Sequence, residues 1–454
     1  MSGELKKDAL GLIHSLAMGV AGSAPSYSIS ATMVTLIAAV GVLAPASLVY
    51  CGLIMLGIVF AYKYLNEHSP SSGASYSWVS QIFGKKLGFF AGWAVMVASA
   101  LFMVSATIPA GSATLLLIAP QLAQSQIAVT LCSVGWLLLV TYVIIKGIKL
   151  TGKVQLIMTL FELLILTVLS VLAIIKFGPH ALHTISWHEF SPTAFSPTSF
   201  ANGAIIALFF FWGWDVSINL SEETSNSGTS PGVGAVGAMI VTIAAFTGFA
   251  AITLLVLGDE EISQSGTNIV FEVANKLLPK PWSYAAVLAL MLSTIGNLET
   301  SMLQFTRTMF AKSRDGVLHS RWAKIHTTWQ TPHLATFLIA AIGLILLLSS
   351  LTSESIADVM KASINVIGVQ AAYYYGLAGF ACAWKFRQEL KHSLFAAATK
   401  IFWPLLSALV LWWAAVVTIM TFDMTTMAIA VGSMALGIIP LLRKPKLIAA
   451  VTAV

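Results

Sequence analysis

The chain has 454 residues, 57% of them hydrophobic and 9% charged, with 24 Lys and Arg against 18 Asp and Glu for a formal net charge of +6. An average soluble domain carries roughly 25% charged residues, so a soluble fold of this length could not cover its own surface, whereas lipid solvates most of a membrane protein. Secreted enzymes, soluble nucleic-acid-binding proteins and disordered scaffolds are excluded. Cys51, Cys132 and Cys382 lie in apolar stretches and form no disulfide or metal spacing. The first apolar run carries Gly and Pro in place of a compact core with a cleavage site, so no cleavable signal peptide is expected.

A helix needs about 20 mainly apolar residues to cross a bilayer. Twelve segments qualify: 11–38, 42–62, 87–118, 125–145, 153–176, 199–219, 233–257, 283–308, 333–351, 359–384, 401–422 and 425–442. The third is long enough to begin as an interfacial helix. The polar stretches 177–198, 258–282 and 309–332 are too short to fold alone. The expectation is an all-α integral membrane protein, one domain over 1–454. With the N-terminus inside, nineteen Lys and Arg fall on inner segments, Arg443, Lys444 and Lys446 among them. Outer segments hold four, Lys176, Lys276, Lys280 and Lys361, and Arg307 lies within a span. This asymmetry places both termini in the cytoplasm. The basic balance reflects topology and implies no nucleic-acid partner.

Two spans are interrupted. The first reads AMGVAGSAPSYSISAT, with Gly19, Gly22 and Pro25 inside the apolar run, where Pro25 lacks an N–H and Gly22 costs about 1 kcal/mol against Ala. The sixth reads ALFFFWGWDVSINLSEETSNS, with Gly213 between Trp212 and Trp214. Breaks at matching places of two five-span halves are the pattern of inverted-repeat secondary transporters. There the half-helix ends offer unpaired N–H and C=O groups to the two ends of a small zwitterion.

Three stretches then carry a family resemblance. HSPSSGASYSWVSQIFGKKLGFFAGW (68–93) resembles a Pro-x-Ser-Gly-Gly-x-Tyr segment followed by a Gly-Phe-x-x-Gly-Trp entry to span three. The sixth span with Glu222-Glu223-Thr224 looks like an aromatic-Gly-aromatic-acid signature, and FTRTMFAKSRDGVLHSRWAKIHTTWQTPHLA (305–335) is similar to an Arg, Ala, Asp-Gly and Thr-Pro pattern. The chain thus resembles the amino acid–polyamine–organocation transporters over essentially its whole length. The resemblance implies a five-plus-five inverted repeat of the leucine-transporter type, with broken helices 1 and 6. The first repeat would span about 11–176, the second about 199–384, and two extra helices about 401–442.

Ionisable groups at bilayer depth are functional suspects: Glu162, Asp215, Glu299 and Arg307. Glu299 and Arg307 are eight residues apart, ~12 Å along a helix, and too distant to pair. Arg307 is expected near the inner end, snorkelling or tying down a loop. Asp215 follows the second break by two residues; it reads as a coupling element or as a local cap accepting freed N–H groups. Glu162 stands where many relatives carry a Lys. It reads as a proton carrier, as an attractor of sodium or an amine, or as a packing residue.

Candidate substrate contacts are Gly22, Ser23, Ala24 and Ser26 at the first break and Phe209, Phe210, Trp212 and Gly213 at the second. The resemblance makes Phe209 an aromatic lid, while Phe210 and Trp214 also read as lipid-facing. Ser105, Thr107, Ser293 and Asn297 are weaker candidates. Many amino-acid members have Gly-Ser-Gly at the first break; here Gly22-Ser23-Ala24-Pro25 removes one donor, which keeps an amine or polyamine open beside an amino acid. His180, His183 and His188, and the acidic run Asp259-Glu260-Glu261, read as solvated loop. No Walker A, nucleophile-elbow or His-Glu-x-x-His motif occurs, so neither an ATP-driven pump nor a membrane enzyme is expected. A sensor would append a regulatory domain, and both tails are short.

The expectation is a secondary active transporter of a small amino acid in the cytoplasmic (inner) membrane, working by alternating access. Proton coupling would run through Glu162 or Asp215, with sodium left open and no bound cofactor. An amine or polyamine carrier, or an amino acid/amine exchanger, is the alternative. The partners are the substrate and the lipid bilayer, and the oligomeric state is left between monomer and homodimer.

Overall fold

Long apolar runs in lipid leave backbone N–H and C=O groups no partners but their own, so the runs become helices. The computed structural model describes residues 4–351 and 356–442. Among the described residues there is no strand, and one isolated bridge joins Leu10 to Thr224. The first half contains α1 (Leu12–Ser23), α2 (Pro25–Val40), α3 (Ala44–His68), α4 (Ser75–Phe83), α5 (Lys85–Ile118), α6 (Gln126–Lys146) and α7 (Ile148–Phe177). Next come α8 (Pro197–Phe209), α9 (Val216–Asn219), α10 (Ser230–Val256), α11 (Asp259–Ser265), α12 (Ile269–Leu277), α13 (Ala285–Arg314) and α14 (His333–Ser350). The chain closes with α15 (Ile356–Lys385), α16 (Leu394–Ala397), α17 (Trp403–Met420), α18 (Met424–Ala435) and α19 (Ile438–Leu442).

Ten helical runs among the described residues are long and apolar enough to cross a membrane. The first, Leu12–His68, is 57 residues long and contains α1 to α3. At about 1.5 Å per residue it would reach ~85 Å against ~30 Å of hydrocarbon, so it turns back, at the 3₁₀ turn Gly41–Leu43. The sixth apolar segment is cut into α8, 13 residues long, and α9 of four residues. These two features account for the difference from twelve separate segments. Other boundaries also differ: α4 is its own helix ahead of a continuous α5, and 258–282 folds into α11 and α12. Arg443, Lys444 and Lys446, used above to orient the chain, lie outside the described residues.

Helix α13 is the axis of the bundle. Every residue from Ser293 to Ser313 is buried, because α5, α7, α1 and α14 pack around it. A helix enclosed on all sides must find partners for each polar group it carries. Helix α7 shows the opposite pattern. It buries Gln155, Thr159, Glu162 and Leu166 on one face and exposes Ile157, Leu160, Phe161 and Leu164 on the other. The 3.6-residue period thus directs three polar side chains inward and the aliphatic ones to lipid.

The two breaks cross one another. Ala24 adopts the left-handed region (φ +45) and ends α1, while Pro25 opens α2 at the position where its missing N–H is not needed. Gly213 is also left-handed (φ +96), in the turn between α8 and α9. Gly22 lies inside α1, so its role is not to break the helix. A Cβ on Gly22 would run into the Gly213 carbonyl, and a Cβ on Gly213 into the Gly22 carbonyl.

Gly22→Ala and Gly213→Ala are therefore each expected to destabilise the fold by about 3 kcal/mol or more, since the obstructing atoms are backbone and cannot rotate away. Gly248→Ala, in α10 with open space at its Cβ, is expected to be neutral or to stabilise by about 0.5 kcal/mol. Melting of the purified variants by size-exclusion survival after heating would test both; equal behaviour of all three would contradict the crossing.

Candidate functional site

The first turn of α2 leaves N–H groups with no helical partner, and these carry the positive end of the helix dipole. The Ser26 N–H donates to Glu162 Oε1 at 2.8 Å, and the Tyr27 N–H donates to Ser293 Oγ at 3.2 Å. The donors expected to hold a substrate carboxylate are thus already engaged by side chains from α7 and α13. Glu162 is buried and faces inward. Ser23 turns back on its own helix: its hydroxyl donates to the Gly19 carbonyl, and its carbonyl accepts from Ser28 Oγ at 2.7 Å.

At the second break Asp215 is buried and precedes α9, but its side chain makes no capping bond there. The expectation of a local cap is corrected. Its carboxylate reaches across to other helices, accepting from Tyr375 OH at 2.7 Å and from Gln304 Nε2 at 2.6 Å. Tyr375 OH also accepts from the Gly213 N–H at 3.2 Å, so one phenol ties the break to α15. Trp212 Nε1 donates to Tyr374 OH at 2.9 Å, and Trp214 stacks on Tyr375.

A cavity of about 640 Å³ lies beside the breaks, within the usual range for a small-molecule site. It follows α2 from Tyr27 to Thr35 and is bounded by Phe209 and Trp212, by Tyr375, and by Phe271 from the 258–282 segment. Most of its wall is aliphatic, and no Asp, Glu, Lys, Arg or His lines it among the described residues. Tyr27 OH and Ser30 Oγ are buried on this wall without hydrogen-bond partners.

Of the sequence candidates, Phe209 and Trp212 reach the cavity. Gly22, Ser23, Ala24, Ser26 and Gly213 do not line it; Glu162 bonds the Ser26 N–H, and Asp215 is linked to Gly213 through Tyr375. Phe210 is not on the wall; it is fully buried against Phe246, ring centroids 5.1 Å apart. The lipid-facing reading of Phe210 and Trp214 is corrected, since the turn after α8 rolls both rings into the core. Ser105, Thr107 and Asn297 also lie off the wall. Sequence reading passed over Tyr27, Gln304, Tyr374 and Tyr375; the run of three tyrosines at 373–375 in an apolar helix was the available signal.

The other end of the bundle is closed by charges. Arg307 does not snorkel. It is fully buried and forms a bidentate pair with Glu223, with both N–O distances 2.9 Å. The Glu223 carbonyl accepts the Ala9 and Leu10 N–H groups, so the N-terminal segment is fastened to the same point. Arg314 pairs with Glu222 at 2.7 and 3.0 Å, and Glu222 also accepts from the Ser72 N–H. Among the loop histidines, His183 bonds the Leu254 carbonyl and Asp259 and is not a free solvated side chain.

Crossed broken helices around an apolar cavity, in a bundle of membrane-length helices, define a membrane protein of the broken-helix class. The amino acid permease family model matches residues 10–441, and the chain belongs to that family. It is 24% identical over 302 residues to the branched-chain amino acid permease BcaP of Lactococcus lactis subsp. cremoris, covering 59% of this chain and 60% of that protein. It is 23% identical to BcaP of Bacillus subtilis, covering 66% of each chain. The large neutral amino acids transporter small subunit 2 of Homo sapiens is 26% identical over 80% of this chain and 68% of its own length. The match thus spans 60% and 66% of the two permeases, less than two thirds of either.

Burial pushes the Glu222 carboxyl up, but the Arg314 guanidinium and the Ser72 N–H outweigh it and hold the group below its usual value of 4.5. A carboxyl lowered on folding stabilises fully above that value and loses its contribution as pH falls through the lower folded value. Glu222→Gln is therefore expected to cost about 1 kcal/mol at neutral pH, Arg314 being partly exposed. The difference from wild type should narrow as pH falls below 4.5 and through the lower folded value; melting curves across pH would reveal a gap that stays constant if the pair is inert.

Proposed function

We propose that the protein is a secondary active transporter that carries a neutral amino acid with an apolar side chain across the cytoplasmic membrane by alternating access, coupled to protons through Glu162. In this reading the chain crosses the bilayer twelve times as a five-plus-five inverted repeat with two extra helices. Both termini are cytoplasmic, consistent with the excess of Lys and Arg on the inner segments.

The observation that carries the reading is the bond from the Ser26 N–H to the Glu162 carboxylate. A helix N-terminus beside the cavity is the natural seat for an amino acid carboxylate, and Glu162 occupies it. Two carboxylates at one site cannot both stay ionised, because like charges disfavour each other strongly at a few ångströms. Substrate carboxylate and ionised Glu162 therefore exclude one another, and protonated Glu162 admits the substrate. That exclusion is the coupling. Asp215 serves as the reporter of occupancy, because Tyr375 both lines the cavity and bonds Asp215.

The substrate class follows from the wall. An aliphatic cavity with no acidic lining among the described residues favours a neutral, apolar side chain over an amine or polyamine. The names of the relatives, branched-chain permease and large neutral amino acid transporter, agree with that choice.

Uptake of labelled leucine, alanine, lysine and putrescine into proteoliposomes, with and without an inward proton gradient, is the test. Leucine accumulation is expected to depend on the gradient. In Glu162→Gln it should lose that dependence, gradient stimulation falling about tenfold, or ~1.4 kcal/mol. Gradient-independent uptake left intact by Glu162→Gln would sink proton coupling, and putrescine uptake without leucine uptake would sink the substrate assignment.

A further inference from the structure

The lipid-facing side of α7 changes chemistry along its length. Lys149 and Lys153 are exposed one turn apart, and Ile157, Leu160 and Leu164 continue the same side, each more than half exposed. At 100° per residue these five positions fall within about 80° of one another, opposite the inward row of Gln155, Thr159, Glu162 and Leu166. The stripe is cationic over its first two turns and aliphatic beyond them. Helix α7 has 30 residues, ~45 Å against ~30 Å of hydrocarbon, so its first turns stand at headgroup depth.

Helix α6 ends beside it in the same way. Leu131, Leu138 and Tyr142 are exposed along its outer side, and Lys146 follows one turn on. The Lys146 ammonium is held over two rings, 5.2 Å from the centroid of Tyr142 and 5.1 Å from that of Trp329. Trp329 is fixed in turn, with His326 stacked on it at 4.0 Å. Thr331 Oγ1 donates to the Ile145 carbonyl at 3.1 Å, so the 326–331 segment buttresses the α6–α7 turn. Rings attract a cation without using up its hydrogen-bond donors.

No acid answers these cations. Between Gln126 and Phe177 the sole Asp or Glu is Glu162, on the inward side of α7, and 316–332 adds Arg321 and Lys324 with no acid at all. Lys63, Arg307, Arg314 and Lys400 each have a Glu of their own. Lys146, Lys149 and Lys153 form no ion pair among the described residues. The first turn of α7 also lacks an acidic residue and a capping side chain. The usual excess of Lys and Arg at one side of a membrane accounts for cations near helix ends. It does not require them on the lipid-facing side of one helix, in line with an aliphatic stripe.

We propose that the α6–α7 turn is a binding site for an anionic phospholipid, with the phosphate among Lys146, Lys149 and Lys153 and the acyl chains along Ile157, Leu160 and Leu164. Basic clusters between membrane helices at headgroup level select anionic lipids by charge. A zwitterionic headgroup brings its own ammonium, which the three lysines repel. They would equally repel a second copy of the chain meeting the same face. The site requires only that the protein is embedded in a membrane and is independent of the transport reading.

Native mass spectrometry of the detergent-purified protein, titrated with phosphatidylglycerol or phosphatidylcholine, tests the site. Wild type is expected to bind phosphatidylglycerol about tenfold more tightly or better. Lys146→Gln, Lys149→Gln and Lys153→Gln should each weaken that binding about fivefold, the effect of one charge near a membrane surface. Each should leave phosphatidylcholine binding unchanged. Lys385→Gln/Lys391→Gln, which removes two exposed cations elsewhere, should match wild type. All of these side chains are exposed, so every variant is expected to fold. Equal binding of the two lipids by wild type overturns the proposal, as does an equal loss in the Lys385/Lys391 variant. Displacement of the lipid by glycerol 3-phosphate would make this a site for soluble anions, and a dimer abolished by the Lys149 or Lys153 change would assign the face to a second copy; either result overturns it too.

Discussion

The close approach of Gly22 to Gly213 is the constraint on which the rest of the site depends. Two helices interrupted at mid-length can touch backbone to backbone only where neither carries a Cβ, and each glycine faces the other's carbonyl. The contact sets where α2 begins and where the turn before α9 lies. From it follows which side chains can reach the freed backbone groups: Glu162 and Ser293 at one break, Tyr375 at the other. An unmet N–H in a lipid environment costs several kcal/mol, so these partners are as much a condition of the fold as of the site.

The buried charges are each neutralised by different chemistry. Glu223 has a guanidinium in bidentate contact. Asp215 has a phenol and an amide, Glu162 a helix N-terminus, and Glu299 the Gln155 amide nitrogen at 2.6 Å. Lys312, the buried cation at the end of α13, has the Phe89 carbonyl at 3.0 Å and the Phe89 ring 3.8 Å from its ammonium. A full ion pair resists change, because breaking it leaves an uncompensated charge. Neutral donors permit loss or gain of a proton. The ion pairs therefore suit fastening.

This division follows the long axis of the bundle. On one side of the crossing lies an apolar cavity whose wall holds the buried, unpartnered hydroxyls of Tyr27 and Ser30. On the other, Glu223–Arg307, Glu222–Arg314 and the bonded Ala9–Leu10 segment close the structure. Helix α13 takes part in both, through Ser293 near the crossing and Arg307 two helical turns beyond Glu299.

Composition and periodicity alone determined that the chain is a bundle of membrane helices, because hydrophobic runs in lipid admit little else. The breaks were legible in Gly22, Pro25 and Gly213, and Glu162, Asp215 and Arg307 stood out as charges in apolar text. What each does was not legible. Ala24, not a glycine, carries the left-handed turn, since Gly22 is needed for the close approach instead. Phe210 and Trp214 turn into the core, because the irregular backbone after Phe209 abandons the 100° step by which a regular helix would have directed them. Arg307 meets Glu223 from 84 residues away, and Asp215 meets Tyr375 from 160. Such pairings depend on which helices lie side by side, a property of the packed bundle that no local stretch of sequence contains.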